Sequence, residues 1–241
     1  MEETHYLIEE ELEIIQDNRF FKFGTDSVLL ANFVKLRRGD KVIDLGTGSG
    51  VIPLLLAYKN KGIKLSGVEI QKPLADLAQR NVELNQMNDK IEIINKDLCR
   101  LKEEIEAGSF DVVVSNPPYL PVDAGKIKAN KYLAAARHEI HAELEDVIAA
   151  AAHLLKFGGL FYLVYRVERL TEVIESLAKY NCQAKKIRFV QSRRDKEADI
   201  FLLQAKLGAK PGLRVEPVLI IYKEDSSEYT AELKEIYGED S

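Results

Sequence analysis

The sequence predicts an α/β fold, a doubly wound and mostly parallel sheet with an antiparallel hairpin towards its C-terminal end. Three observations carry this. Short apolar, β-branched runs alternate with longer helical runs from residue 41 to residue 180. The connections between them are short, the pattern of βαβ units with a single crossover hand. Beyond them, two strand-like runs flank the polar turn SRRDKE, as in an antiparallel pair.

The elements follow in order. KVIDLG (41–46) reads as the first core strand and VIPLLLAYKN as its helix. KLSGVEI (64–70) is a strand, and PLADLAQRNVELNQ (73–86) an amphipathic helix. IEIIN (91–95) is a strand followed by a short helix near 98–106, and FDVVVS (110–115) is the fourth strand. LEDVIAAAAHLLK (144–156) is a helix expected to stop at Gly158-Gly159. LFYLVYR (160–166) is the fifth strand, VERLTEVIESLAKY (167–180) a helix, and AKKIRFVQ and ADIFLLQAKLG the hairpin strands. Ahead of these, ELEIIQD and RFFKFG look extended and TDSVLLANFV helical, with Thr25 or Asp26 as its cap. The domain reading is a flap over 1–38 packed on the core, a main domain over 39–222 and an acidic tail over 223–241.

A chain of 241 residues with 46% hydrophobic content can bury the core of one such domain. No run reaches the roughly 20 apolar residues that span a bilayer. The start, MEETHYLIEEELE, lacks the basic-then-apolar pattern of a signal peptide. Cys99 and Cys182 make neither a disulfide framework nor a metal site, and no H-E-x-x-H is present, so no metal is expected. The expected location is the cytoplasm. Net charge is −5, which argues against a nucleic-acid partner, but the average hides an asymmetry. Residues 185–214 hold nine Lys/Arg against three acids, whereas 215–241 hold two Lys against eight acids. The basic part can attract phosphates or can be a solvated face.

In Asp44-Leu45-Gly46-Thr47-Gly48-Ser49-Gly50 a strand enters a glycine-rich turn and then a helix. Glycines there permit positive φ and a close approach of backbone to ligand. The spacing is G-x-G-x-G rather than the dinucleotide fingerprint G-x-G-x-x-G, and no G-K-[ST] follows. A carboxylate at Asp44 would repel a pyrophosphate and suit a cationic amine or sulfonium. Glu69 ends the second strand about twenty residues on, where an acid binds ribose hydroxyls in Rossmann-like folds. Asp97 either accepts from an adenine amino group or caps the next helix. At the fourth strand, Asn116-Pro117-Pro118-Tyr119 stops the ladder, because prolines lack the N–H and stiffen the turn.

Taken in order, these motifs resemble the Rossmann-like S-adenosylmethionine-dependent methyltransferases whose N-P-P-Y loop methylates a planar nitrogen. Phe23-Gly24-Thr25-Asp26-Ser27-Val28-Leu29-Leu30, Ala136-Arg137-His138-Glu139 and Lys210-Pro211-Gly212-Leu213-Arg214 further resemble the bacterial tRNA(Val) adenine N6-methyltransferase family. The resemblance covers nearly the whole chain. It implies S-adenosylmethionine as cofactor, tRNA as partner, and methylation of the adenosine 3′ of the anticodon, position 37, by a monomer. It also implies site residues. Phe23, Thr25 and Asp26 would close over the methionine end, Asp44, Gly46 and Gly48 would hold it, Glu69 would hold the ribose and Asp97 the adenine, and Ile70 and Leu98 would also contact the cofactor. Asn116 and the Pro117 carbonyl would accept the two amine hydrogens, and Tyr119 would stack on the target base. Lys126, Lys128 and Arg137 in the basic loop, with Arg193 and Arg194 in the later turn, would contact RNA; His138 reads as structural.

The same loop chemistry serves an amide, so protein-glutamine N5-methylation is the nearest rival, and the basic segments at 126–137 and 185–214 speak against it. Guanine N2-methylation of ribosomal RNA is a second rival. A non-catalytic RNA-binding module is a third, opposed by intact Asp44, Glu69 and Asn116-Pro117-Pro118-Tyr119.

Overall fold

The computed structural model describes residues 2–8, 11–20, 24–118 and 143–238. The chain opens with an antiparallel hairpin, β1 (Glu2–Ile8) and β2 (Leu12–Asp17), followed by helix α1 (Thr25–Phe33). The alternating core then runs β3 (Lys41–Leu45), α2 (Val51–Lys59), β4 (Lys64–Glu69), α3 (Lys72–Leu84) and β5 (Ile91–Asn95). A 3₁₀ turn (Leu98–Arg100) and a short α4 (Leu101–Glu104) lead to β6 (Phe110–Ser115). After α5 (Leu144–Leu154) come β7 (Leu155–Arg166), α6 (Leu170–Lys179), β8 (Cys182–Gln191) and β9 (Ala198–Leu207). Two short strands, β10 (Arg214–Val215) and β11 (Leu219–Ile220), and helix α7 (Ala231–Tyr237) complete the order.

The main sheet reads β10-β8-β9-β7-β6-β3-β4-β5, with β11 also paired to β8. β3 to β7 are parallel, and β9 lies antiparallel between β7 and β8. This is the expected doubly wound sheet with an antiparallel pair at one side. The chain winds outward from β3 through β4 to β5, then returns to β6 on the other flank of β3. The switch point therefore lies between β3 and β6, where Leu45 faces Ser115 in register and Ser115 Oγ donates to the Leu45 carbonyl at 2.8 Å. Open α/β sheets bind ligands at the carboxyl ends of such strands.

Both faces of the sheet are covered, which is why its strands are nearly continuous apolar runs. Val42, Val112, Val114, Tyr162 and Leu202 face α1, α2 and α3; Ile43, Val113, Phe161 and Leu203 face α5 and α6. Helix α2 is apolar on every side, with Val51 through Ala57 all buried, because β2, α1 and the sheet surround it. The hairpin contributes Leu7, Ile8, Leu12 and Ile14 to the first of these clusters, and α7 contributes Leu233 and Ile236.

Three local expectations are corrected. Helix α5 ends at Leu154, not at the glycine pair; Gly158 and Gly159 instead form a bulge inside β7, between the pairs Phe110↔Leu155 and Val112↔Leu160. Gly158 has φ +81°, and a Cβ on Gly159 would lie 2.9 Å from the Lys156 carbonyl oxygen. The pair thus serves a tight backbone crossing rather than a helix stop. Secondly, Gly24 is the residue preceding α1, and neither Thr25 nor Asp26 caps it. Thirdly, the acidic N-terminal stretch includes strand β1, and Arg19 and Phe20 lie in a turn.

Candidate active site

The site is built on the ends of β3, β4 and β6. Asp44, second from the end of β3, is completely buried, and neither carboxylate oxygen nor the adjacent Thr47 hydroxyl makes a hydrogen bond of good geometry. Burial pushes its pKa up to about 7, the nearby Glu69 charge adds to this, and the Thr47 hydroxyl opposes it. A buried acid with no donor is costly unless a ligand supplies one. The turn that follows it is shaped by its glycines. Gly46 has φ +75° and Gly48 φ +57°, and a Cβ at either would meet nothing within 4 Å, so the turn borders open space. At the foot of α2, Gly50 approaches α3 so closely that a Cβ would lie 3.4 Å from Ala78 Cβ.

Glu69 ends β4 and ties the site together. Its Oε2 accepts from Gly48 N at 3.0 Å and its Oε1 from Gln71 N at 2.9 Å. Burial raises its pKa while these backbone donors act in the opposite direction. Ile70 beside it is exposed. One strand further, Asn95 Nδ2 donates to the carbonyls of Glu69 and Ile70 at 2.8 and 3.0 Å, which squares off the end of β4. Asp97 precedes the 3₁₀ turn and its Oδ1 accepts from Cys99 N at 2.9 Å. The capping alternative is thus what the fold displays, and it leaves Asp97 and Leu98 half-buried at the carboxyl end of β5.

Asn116 is half-buried and Pro117 buried, directly beyond β6. Asn116 Nδ2 donates to Ser27 Oγ of α1 at 2.9 Å. Thr25, at the start of α1, accepts from the Tyr237 hydroxyl of α7 at 3.4 Å. Phe23, Tyr119, Lys126, Lys128 and Arg137 lie outside the described residues. Arg193 and Arg194 sit in the turn after β8, on the same sheet edge. Arg193 donates to the Lys223 carbonyl at 2.7 Å and stacks 5.5 Å above Tyr222, and Arg194 lies 3.7 Å from Glu224. Among the described residues no group of three or more His, Cys, Asp and Glu is placed to hold a metal ion.

Sequence reasoning overlooked four supporting residues. Ser27 is the partner of Asn116. Gly67 in β4 lies beneath Thr47, whose Oγ1 would be 2.9 Å from a Cβ there; a glycine inside a strand signals close approach. Asn81 in α3 and Asn85 at its C-terminal cap, one turn apart, grip the outer edge of β2. Asn81 Oδ1 accepts from Ile15 N at 2.7 Å, and its Nδ2 donates to the Ile15 and Ser49 carbonyls at 3.1 and 2.9 Å. Asn85 makes the equivalent pair with Glu13 at 3.0 and 2.8 Å. Their i, i+4 spacing was legible; the strand they meet was not.

The buried acceptor at Asp44, the open glycine turn and the carboxylate of Glu69 fit a ligand with a cationic amino-acid end and a ribose. Fold and site define an S-adenosylmethionine-dependent methyltransferase of Rossmann-like architecture. Residues 21–190 match the family described as the methyltransferase small domain, and the chain belongs to that family. It is 27% identical over 237 residues, 97% of each chain, to a protein of Tolumonas auensis named tRNA1(Val) (adenine(37)-N6)-methyltransferase. A Bacteroides thetaiotaomicron protein of the same name is 30% identical over 70% of this chain and 69% of its own. The crystal structure of a predicted O-methyltransferase from Agrobacterium tumefaciens superposes with a TM-score of 0.73, at 22% identity, over 88% of this chain and 95% of the other.

Proposed function

We infer that the protein methylates the exocyclic N6 of an adenine in tRNA, the adenosine at position 37 of tRNA(Val), using S-adenosylmethionine. The observation that carries this reading is the end-to-end similarity to relatives of that name, with Asn116-Pro117-Pro118 at the switch point beside Asp44.

S-adenosylmethionine, when bound, supplies an electrophilic methyl group on a sulfonium. Asp44 offers the cationic end of that ligand a buried negative charge, and Glu69 offers ribose hydroxyls two acceptor oxygens already held by backbone donors. Gly46 and Gly48 leave room for the ligand to lie against the turn. The adenine amine is a poor nucleophile because its lone pair is delocalised into the ring. The Asn116 amide oxygen and the Pro117 carbonyl accept its two hydrogens, favour a more tetrahedral nitrogen and direct the lone pair out of the ring plane. The rigid proline backbone keeps both acceptors in place before reaction, so orientation does most of the work. Tyr119 stacks on the base. Asp97 and Leu98 border the cofactor's adenine, and Thr25 and Asp26 its methionine end. Arg193 and Arg194, with Lys126, Lys128 and Arg137, meet the RNA. An anticodon-loop base is already unpaired, so presenting it requires little unstacking. The protein acts as a cytoplasmic monomer.

Mass spectrometry of nucleosides from tRNA(Val) incubated with protein and cofactor tests the reading. N6-methyladenosine at position 37 is the expected product. Methylation of a glutamine peptide or of ribosomal guanine, with unmodified tRNA left unchanged, would overturn it.

A further inference from the structure

The nine cations between residues 185 and 214 form one run in the sequence, and eight of them fall into two clusters in the fold; the ninth, Arg188, lies within β8 and pairs with Glu232. Strand β9 is antiparallel to both β7 and β8, so β8 points the same way as β3 to β7. The turn after β8 therefore lies on the edge that carries Asp44 and Asn116. The loop after β9 lies on the opposite edge, the length of Ala198–Leu207 away, or roughly 30 Å at about 3.3 Å per residue.

The two clusters differ in what their charges meet. On the site edge Arg193 is engaged by Lys223 and Tyr222, Arg194 faces Glu224, and Lys196 lies 3.3 Å from Asp195. On the opposite edge Lys156 pairs with Asp111 and Lys186 with Glu216. The remainder have no acidic partner there. Lys185 Nζ donates to the Lys210 carbonyl at 3.1 Å, and Lys206, Lys210 and Arg214 have no carboxylate partner among the described residues.

Phe157 stands among these cations and is 82% exposed. It projects from the glycine bulge of β7 across Gly208, where a Cβ would come within 2.1 Å of its ring. The Lys206 side chain passes Gly158 at 3.7 Å from a Cβ placed there, and Lys185 Nζ lies 3.3 Å from one placed on Gly212. Three glycines thus gather an aromatic ring and its neighbouring cations onto one surface. Leu213 and Val215, 48% and 61% exposed, extend its apolar part. Four cations without an acidic partner among the described residues, beside an exposed aromatic ring, match a ribose-phosphate backbone that offers an unpaired base.

We propose that this opposite edge is a second RNA-docking surface, which holds a part of the substrate tRNA remote from the methylated loop. Lys185, Lys206, Lys210 and Arg214 take backbone phosphates, and Phe157 packs on an unpaired base. The proposal rests on tRNA being the substrate, and the roughly 30 Å between the two edges calls for a whole tRNA rather than a short hairpin.

The test measures Kd across a salt series for unmodified full-length tRNA(Val) and for its isolated anticodon stem-loop. The proteins are the parent, the double variant Lys206→Ala/Lys210→Ala, and Phe157→Ala, each checked for unchanged S-adenosylhomocysteine binding. The double variant is expected to lower the full-length salt slope by about 0.7–0.9 for each phosphate no longer neutralised, with stem-loop binding unchanged. Phe157→Ala is expected to weaken full-length binding at an unchanged slope. Full-length affinity and slope equal to the parent's overturn the proposal, as does an equal weakening on the stem-loop. So does a result in which the variants lose only affinity for anionic vesicles or an acidic peptide. A parent protein that binds and methylates neither RNA overturns the substrate reading and this proposal together. Normal methylation of full-length tRNA with unaltered slopes overturns this proposal alone.

Discussion

Asn116 and Ser27 are 89 residues apart in the chain, and the amide of one donates to the hydroxyl of the other at 2.9 Å. Helix α1 therefore braces the loop that ends β6. Asn116→Ala should keep cofactor affinity and lose about 10²–10³ in turnover, the usual cost of removing one preorganised polar group. Asn116→Asp should keep more activity, because a carboxylate still accepts. Ser27→Ala should fall between parent and Asn116→Ala, since it removes one tether worth about 0.5–1.5 kcal/mol. Single-turnover assays on unmodified tRNA measure all three. Turnover by Asn116→Ala within a factor of a few of the parent would make Asn116-Pro117-Pro118 a structural loop only.

Asp44 gives a pH dependence whose sign follows from its raised pKa. In the unfolded chain it titrates near 3.8 and in the folded protein near 7. Between those values the folded protein holds the extra proton, so its stability without ligand falls as pH rises through that window and levels off above it. A cationic ligand favours the ionised form. Affinity for S-adenosylmethionine should therefore rise with pH, approaching about tenfold per unit below the folded pKa. Asp44→Asn should weaken binding at pH 8, flatten this dependence and raise the melting temperature of the free protein. Calorimetry over pH 5.5–8.5 decides it; equal slopes for parent and variant would refute the role.

Glu69 offers one oxygen to Gly48 and the other to Gln71. A glutamine can accept at only one of the two, and its NH₂ would face a backbone donor. Glu69→Gln should therefore behave nearly as badly as Glu69→Ala, each weakening cofactor binding by roughly 1.5–3 kcal/mol, the range for hydrogen bonds to charged groups. Affinity of Glu69→Gln close to the parent's would show that one acceptor is sufficient.

Asn81 joins β2 to the glycine turn through Ile15 and Ser49. Asn81→Ala leaves those backbone groups without partners at a fully buried position, at about 1–3 kcal/mol for each that water cannot reach. Urea unfolding should show the loss of stability, and bound S-adenosylhomocysteine should recover less of it than in the parent. A variant as stable as the parent would mean that water fills the gap.

What the sequence determined by itself was whatever short-range periodicity and punctuation encode. β5 and β6 have the limits read from IEIIN and FDVVVS, and the glycine turn, Glu69 and the proline stop lie at the carboxyl ends of their strands. Those features depend on neighbouring residues, through β-branching, glycine φ freedom and the missing proline N–H. Only the tertiary structure decided which distant groups meet. It took Gly158 and Gly159 from a helix stop into a bulge, because Phe110 and Val112 pair with residues five apart in β7. It set Asn81 and Asn85 against β2, and Ser27 against Asn116. It divided one basic run between two sheet edges, because reversing direction at β9 carries the chain across the whole sheet. A pairing between segments 66 or 89 residues apart leaves no local trace, since its partners are chosen by the packing of the elements that carry them.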